Sequence, residues 1–132
     1  MEELSYKAKI SVVKLLGEIL NADQIAHEKE LEYLDEVVRS LSLDENYKEE
    51  VGNLLTLEAL ATIRTLNVDQ KSEIAKMMGK MIVVDNDINY NEVKLYNAFC
   101  ESCDIEKDFN VEDYSDVTLS GPFVNPEDIM NM

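Results

Sequence analysis

Two segments decide the fold of this chain: residues 15–31, LLGEILNADQIAHEKEL, and residues 77–93, MMGKMIVVDNDINYNEV. A shift of 62 residues superimposes the apolar positions and the acidic positions of the two segments together. The aligned pairs are Leu15 and Met77, Leu16 and Met78, Ile19 and Met81, Leu20 and Ile82, Asp23 and Asp85, Glu30 and Glu92, and Leu31 and Val93. Two units are too few for a solenoid, so the pattern predicts a duplicated domain of two helix-loop-helix halves.

Apolar residues recur every three or four positions through most of the chain, as expected for amphipathic helices. Shorter helices are expected at residues 47–51 and 54–66, the second with Leu57, Leu60 and Ala61 on its buried face. No stretch alternates long enough to require a strand. The sequence predicts a single-domain, all-α bundle of about six to seven helices over residues 1–112, followed by a partly irregular tail over 113–132. The longer predicted stripes are Val12, Leu15, Leu16, Ile19 and Leu20; Leu31, Leu34, Val38 and Leu41; Ile74, Met77, Met78, Met81 and Ile82; and Val93, Tyr96, Cys100 and Cys103.

The charge balance restricts the partners of this protein. Among 132 residues, 28 Asp and Glu outnumber 12 Lys and Arg, which leaves a formal net charge of -16. Such an acidic surface repels nucleic-acid phosphates and anionic lipids, so neither nucleic-acid nor membrane binding is expected. Divalent cations and basic protein surfaces are the expected partners, and a homodimer is compatible with the sequence.

The amino-terminal residues and the cysteines indicate the compartment. Residues 1–4, MEEL, lack the basic region of a secretory signal, and no apolar run approaches the roughly 20 residues of a membrane span. Cys100 and Cys103 stand too close together in sequence to join distant parts of the fold, which agrees with a reducing compartment. We therefore expect a cytoplasmic protein.

The acids of the two predicted loops have two alternative interpretations. Asp23 and Asp85 each follow a helix carboxy terminus, where the macrodipole disfavours a negative charge, so something must compensate them. In the structural alternative each Asp accepts loop amide hydrogens, and Glu30 and Glu92 cap the following helices. In the other alternative the carboxylates bind a divalent cation, Ca or Mg, through oxygen ligands.

The second loop resembles an EF-hand only at its start. Residues 85–89, DNDIN, match the opening of that motif, and Asp85, Asp87, Asn89 and Glu92 offer oxygen ligands. Tyr90 stands where the motif requires Gly, and Tyr96 stands where it requires a bidentate Glu. Such a site would bind a cation weakly or would need acids from elsewhere in the fold.

The chain offers few residues for catalysis. Residues 100–103, CESC, have the spacing of a redox or zinc motif, but both cysteines align with the apolar Val38 and Leu41 of the first half, so we expect buried structural thiols. His27, the single histidine, is expected at an exposed helix start, with a minor ligand role as the alternative. No Ser or Cys has an evident base partner and no Gly-rich phosphate loop is present, so no catalytic or cofactor-binding residue is assigned.

The loop segments also carry a family likeness. Residues 21–24, NADQ, followed by Glu30, and residues 83–88, VVDNDI, followed by Glu92, resemble the duplicated A-D-G-x-I-x-x-x-E pattern of the TerB-like family. That family includes tellurite-resistance proteins and the amino-terminal domains of certain membrane-anchored DnaJ-like co-chaperones. The likeness covers about residues 15–105, with Gln24 and Asn86 standing where the family has Gly, and Ile25 where it usually has a polar residue.

The resemblance implies an all-helical bundle whose paired loop acids form a negatively charged surface for cations or partner proteins. Carried over by position, the candidate metal ligands are Asp23, Glu30, Asp85, Asp87 and Glu92. The expected function is a non-enzymatic acidic binding or adapter module, related to stress and tellurite resistance, that binds a divalent cation weakly. The alternatives are a metal-dependent enzyme that uses the same carboxylates, and a protein-interaction domain in which the loop acids only cap helices.

Overall fold

The computed structural model describes residues 3–22, 27–84, 87–107 and 118–120. Within these ranges the chain forms six α-helices and two short β-strands, which confirms the predicted all-α domain of about six helices. The helices are α1 (Tyr6–Leu20), α2 (Glu28–Leu41), α3 (Tyr47–Asn53), α4 (Thr56–Arg64), α5 (Val68–Val83) and α6 (Tyr90–Cys103), and the strands are β1 (Asp87–Asn89) and β2 (Thr118–Ser120).

Helix α1 lies at the centre of the bundle. It contacts each of the other five helices that the structure describes. Its side chains Leu15, Leu16 and Ile19 are all 0% exposed, and Met78 and Met81 of α5 are buried to the same degree. Burial of one such side chain contributes roughly 1.5–3 kcal/mol, so this central cluster supplies much of the stability of the fold.

Polar caps fix where the two longest helices begin. Ser5 Oγ accepts a hydrogen bond from the Ala8 amide at 3.2 Å at the start of α1. At the start of α5, Asn67 Oδ1 accepts from the Gln70 amide at 2.8 Å, and Gln70 Oε1 accepts from the Asn67 amide at 3.1 Å. The second arrangement is the capping box that residues 67–70 predict. The two caps lie 62 residues apart in the sequence.

The carboxy-terminal ends of α2 and α6 are also alike and also lie 62 residues apart. Each helix stops at a residue other than glycine with left-handed backbone, Ser42 at φ 54° and Asp104 at φ 57°. After α6, the Ile105 amide donates to the Cys100 carbonyl at 2.8 Å, and the Ile105 side chain is buried. This closes the helix carboxy terminus in the manner of a Schellman turn.

The buried face of α2 differs from the prediction. Tyr33, Val37 and Leu41 are buried, whereas Leu31 is 48% exposed. The reason is that α2 packs mainly against α1 and α5. The residues buried in this contact recur every four positions from Tyr33. The predicted stripe that begins at Leu31 therefore lies at the edge of this contact.

The predicted face of α4 is wrong in part. Leu60 is buried as expected, but Leu57 is 78% exposed and Ala61 is also exposed. Ala59 and Ile63 take their places in the core. Helix α4 lies between α1 and α6, so the face centred on Leu60 and Ile63 is the one that both neighbours cover.

No stretch of the sequence requires a strand, and the described residues hold two strands of three residues each. Strands β1 and β2 pair in parallel, with Asp87 opposite Thr118 and Asn89 opposite Ser120. Three residues are too few to produce a detectable alternating pattern. The pairing brings residues 118–120 of the carboxy-terminal segment next to the start of α6, while the predicted boundary between residues 112 and 113 lies outside the described ranges.

Candidate functional site

Two glutamates occupy equivalent positions at the starts of α2 and α6. Each is the third residue of its helix: Glu30 follows the N-cap His27, and Glu92 follows the N-cap Asn89. Both side chains are buried, with Glu30 0% exposed and Glu92 2% exposed. The sequence predicted their place in the first turn of each second helix, but it did not predict that both would lie in the interior.

Burial of a carboxylate requires compensation. An ionised carboxylate in an apolar interior must be hydrogen-bonded, paired with a cation or neutralised by a proton. The helix amino terminus favours a negative charge, but this contributes about 0.3–1 kcal/mol at an exposed position, less than burial costs. Glu30 and Glu92 each have further hydrogen-bonding, ion-pair or electrostatic partners.

The N-cap residues hold the two helix starts in similar backbone conformations. His27 has φ -83° and ψ 146°, and Asn89 has φ -89° and ψ 133°, so both are extended. Asn89 Oδ1 accepts a hydrogen bond from the Asn91 amide at 2.8 Å. His27 lies at the helix start as predicted, but it is half-buried rather than exposed.

The remaining predicted ligands lie outside the described residues. Asp23 and Asp85 belong to the ranges 23–26 and 85–86, and for Asp87 the structure describes the backbone in β1 but not the side chain. In the part of the chain that the structure does describe, no three His, Cys, Asp or Glu side chains converge as a metal-binding group. Two of the five candidates, Glu30 and Glu92, can therefore be placed.

The second helix start has a neighbour that the sequence did not suggest. Strand β1 leads directly into α6, and its Ile88 is 0% exposed. The parallel partner β2 runs beside β1 and places Ser120 opposite Asn89, the N-cap of α6. The carboxy-terminal segment thus pairs with the strand that leads into the α6 start.

A contact between α2 and α5 joins the two halves of the bundle. The ammonium group of Lys80 lies 5.0 Å from the centre of the Tyr33 ring, a cation–π contact. Burial raises the pKa of Tyr33, and the nearby Glu36 adds to the same effect. The helix that carries Glu30 is thereby tied to the helix that precedes the second acidic segment.

The two cysteines are buried core residues, as predicted. Cys100 and Cys103 are both free and 0% exposed, and the Cys103 Sγ donates to the Leu60 carbonyl at 3.5 Å. Burial raises the pKa of each thiol to about 11. Both thiols are protonated at neutral pH, whereas redox exchange and metal ligation use the thiolate.

An apolar groove is a further feature that the sequence did not indicate. It encloses about 330 Å³ between α1, α2 and α3, and its lining includes Leu31, Leu34 and Val38, which the sequence assigned to the core. Two other cavities, of about 440 Å³ and 260 Å³, lie at Lys71 and Lys107 and at Tyr6 and Glu50. Neither Glu30 nor Glu92 lines any of these three. Helix α2 has two apolar stripes, although one buried face needs a single stripe. The second stripe, Leu31, Leu34 and Val38, is the sequence signal that could have revealed the groove.

None of the described helices combines the length and the apolar character needed to cross a bilayer.

The comparisons with known proteins concern the fold. No protein-family model and no curated protein sequence matches this chain. Among solved structures, the chain is similar to a protein of unknown function from Porphyromonas gingivalis, with a TM-score of 0.69. The two share 18% sequence identity, and the alignment covers 83% of this chain and 86% of the other. A likeness at this identity establishes a shared helical fold and carries no function.

Proposed function

We propose that this protein is a non-enzymatic acidic binding module in which the loop before α2 and the loop before α6 each bind a divalent cation, Ca or Mg, weakly. In this proposal Asp23 and Glu30 serve the first loop, and Asp85, Asp87 and Glu92 serve the second. The module belongs to the TerB-like family and acts in the stress response with which tellurite resistance is associated.

The observation that carries the proposal is the burial of Glu30 and Glu92 at the same position of two helices. Each follows a segment with one or more aspartates, and carboxylate oxygens are the ligands that Ca and Mg prefer. A cation shared between a buried glutamate and loop aspartates would offset both the burial of one carboxylate and the repulsion between several. The excess of 16 negative charges adds a general attraction for cations.

The test is thermal unfolding in EDTA and in millimolar Ca, Mg or Mn. A cation that binds the native state alone raises the melting midpoint, and one present at ten times its Kd adds about 1.4 kcal/mol, or roughly 3–8 °C for a domain of this size. The shift should shrink in Asp85→Asn. It should persist in Glu32→Gln, which removes an exposed acid from the surface of α2. An unchanged midpoint in the wild-type protein, or an equal shift in Asp85→Asn, would overturn the cation part of the proposal.

An adapter role is the second part of the proposal. The same acidic segments would bind a basic protein surface, either directly or through the cation. A partner that binds equally well in EDTA and in Ca would show that the loop acids act without metal. A homodimer is disfavoured at low salt, because two copies with a net charge of -16 each repel one another.

A metal-dependent hydrolase remains the competing hypothesis. It needs at least three convergent acids beside a cavity that admits substrate. Glu30 and Glu92 do not line the three cavities described above. Hydrolysis of generic ester or phosphoester substrates in Mn or Mg, lost in Glu92→Gln, would favour the enzyme over the binding module.

A further inference from the structure

The groove between α1, α2 and α3 has an apolar lining. Val13 and Gly17 of α1 form part of it, and Asp35 and Lys48 are its charged members. Leu31 is 48% exposed in the groove, and its apolar neighbours from α2 and α3 are partly exposed while they pack against the core. An apolar groove is the kind of surface into which the apolar face of an amphipathic helix packs. The other lining residues are Leu34, Val38, Tyr47 and Val51.

The second half of the chain buries the same positions. Several groove residues of α1 and α2 are partly exposed, whereas the residues 62 positions later, in α5 and α6, are buried. Val93 is 3% exposed where Leu31 is 48% exposed, and Gly79 is buried where Gly17 is half-buried. The remaining pairs, in which the second member is 0% exposed, are Leu34 with Tyr96 and Val38 with Cys100.

The packing of the two corresponding helices explains the difference. Helix α6 packs against α4 as well as against α1 and α5, whereas α2 packs mainly against α1 and α5. Among the described residues, α6 therefore has one more closely packed helical neighbour than α2. A helix is accordingly the kind of element that would complete the surroundings of α2.

The charges beside the groove indicate the character of the missing helix. Asp35 and Lys48 line the groove, and Asp35 is paired with Arg39 at 2.6 Å. The exposed charged residues of α2 and α3 include more acids than bases: Glu28, Glu32, Asp35, Glu36 and Glu49 against Lys29, Arg39 and Lys48. The two helices are therefore net acidic around the groove, which favours a partner with basic side chains beside its apolar face.

The same charges argue against a second copy of this chain in the groove. Each copy carries a net charge of -16, and α2 and α3 together hold several exposed acids close to the apolar lining. Bringing two such surfaces together would place like charges within a Debye length, which is about 8 Å at physiological salt. A partner of opposite charge meets the same apolar lining without that repulsion.

We propose that the groove formed by Val13, Gly17, Leu31, Leu34, Val38 and Val51 is a docking site for one amphipathic helix of a partner protein, with apolar anchors every three or four residues and Lys or Arg on its flanks. This proposal rests on the adapter role proposed above and adds the chemistry of the partner and the surface it meets. It is independent of whether the loops at Asp23 and Asp85 bind a cation.

A synthetic peptide tests the proposal directly. The probe is a fluorescein-labelled peptide of about 15–18 residues composed of Leu and Lys, with Leu at helical spacing on one face. Fluorescence anisotropy should show saturable binding to the full chain. A peptide of the same composition, with the Leu positions scrambled, should bind at least tenfold more weakly. Equal binding of the two peptides would reduce the interaction to charge and overturn the proposal.

Two glycines provide a matched pair of variants. A Cβ added at Gly17 or at Gly52 meets no atom within 4 Å, so both sites accept a larger side chain. Gly17 lines the groove, whereas Gly52 is exposed on α3 outside it. Gly17→Leu should weaken peptide binding at least tenfold, and Gly52→Leu should leave it unchanged. Unchanged binding in Gly17→Leu would overturn the proposed site even if the scrambled peptide fails to bind.

Sedimentation equilibrium decides between the two possible occupants. The proposal expects a wild-type monomer at physiological salt, with the peptide forming a one-to-one complex. A wild-type dimer that Gly17→Leu converts to a monomer would show that a second copy fills the groove and would overturn the commitment to a basic helix. Failure of the peptide assay together with a cation-dependent rise of the melting midpoint would remove the docking site and leave the proposed cation binding intact.

Discussion

Glu30 and Glu92 are each the third residue of a helix that follows an acidic segment, and both are buried. They stand 62 residues apart, as do the helix caps Ser5 and Asn67. A carboxylate is the least expected group in a mostly apolar interior, so its occurrence twice at one spacing points to a shared role. The proposed cation binding gives both glutamates the same role.

The left-handed helix ends allow a test of backbone strain. Ser42 and Asp104 hold φ near +55°, which costs a residue with a Cβ about 1–2 kcal/mol relative to right-handed backbone. Ser42→Gly and Asp104→Gly should each raise the free energy of unfolding by about 0.5–1 kcal/mol, because glycine relieves that cost and loses some of the gain to its own flexibility. Urea denaturation measures the change. Ser40→Gly, within α2, should lower the stability by about 1 kcal/mol, and stabilisation by both Ser42→Gly and Ser40→Gly would contradict the explanation.

The hydrogen bond between Tyr6 and Glu50 should tie α1 to α3. The Tyr6 hydroxyl donates to Glu50 Oε1 at 2.8 Å. Desolvation, together with that bond, raises the pKa of Tyr6 to about 12. Tyr6→Phe should lower the free energy of unfolding, because it removes a hydrogen bond between the two helices. A double-mutant cycle with Glu50→Gln isolates the pair, and additive effects of the two substitutions would show that the bond is not formed in solution.

The buried thiols should resist modification in the native protein. A pKa of about 11 leaves Cys100 and Cys103 protonated near neutral pH, and neither is exposed. Reaction with a thiol reagent at about pH 8 should therefore be slow in the folded state and rapid in guanidinium chloride, where both become accessible. Fast labelling of the native protein would contradict the burial of either residue.

The same thiols predict how stability depends on alkaline pH. Their pKa is raised from the ordinary value of 9.0 to about 11, so the unfolded state releases these protons first as the pH rises. The stabilisation is fully present below about pH 9 and is lost progressively as the pH approaches 11. Urea denaturation at about pH 8 and about pH 10.5 should show a smaller decline in Cys100→Ala/Cys103→Ala than in the wild type. Equal declines would assign the pH dependence to other groups.

The sequence predicted the elements more accurately than their orientation. The capping box at residues 67–70 predicted the start of α5, and the apolar periodicity predicted the helices. Both signals depend only on residues close together in sequence. Which face of α2 is buried depends instead on the placement of α1 and α5, and α2 has apolar residues on two adjacent faces. Leu31 was therefore assigned to the core, although it lines an open groove.

The helix positions of Glu30 and Glu92 were predictable from the sequence, and their environment was not. The spacing of Glu30 and Glu92 placed both in the first turns of α2 and α6, and the structure agrees. Their burial could not be foreseen, because the depth of a helix start depends on the packing of other elements around it. The pairing of β1 with β2 was also hidden, since a contact between residues 87–89 and 118–120 leaves no local pattern.

The central claim is that a divalent cation binds where Glu30 and Glu92 lie. The most direct measurement is isothermal titration of Ca into the EDTA-treated, desalted protein, with Mg as the second ion. We predict saturable binding by the wild type and by Glu32→Gln/Glu101→Gln, which neutralises exposed acids of the same two helices. Glu30→Gln/Glu92→Gln, with folding verified by circular dichroism, should lose that binding. The absence of Ca and Mg binding by the wild type, or equal binding by both double variants, would contradict the account.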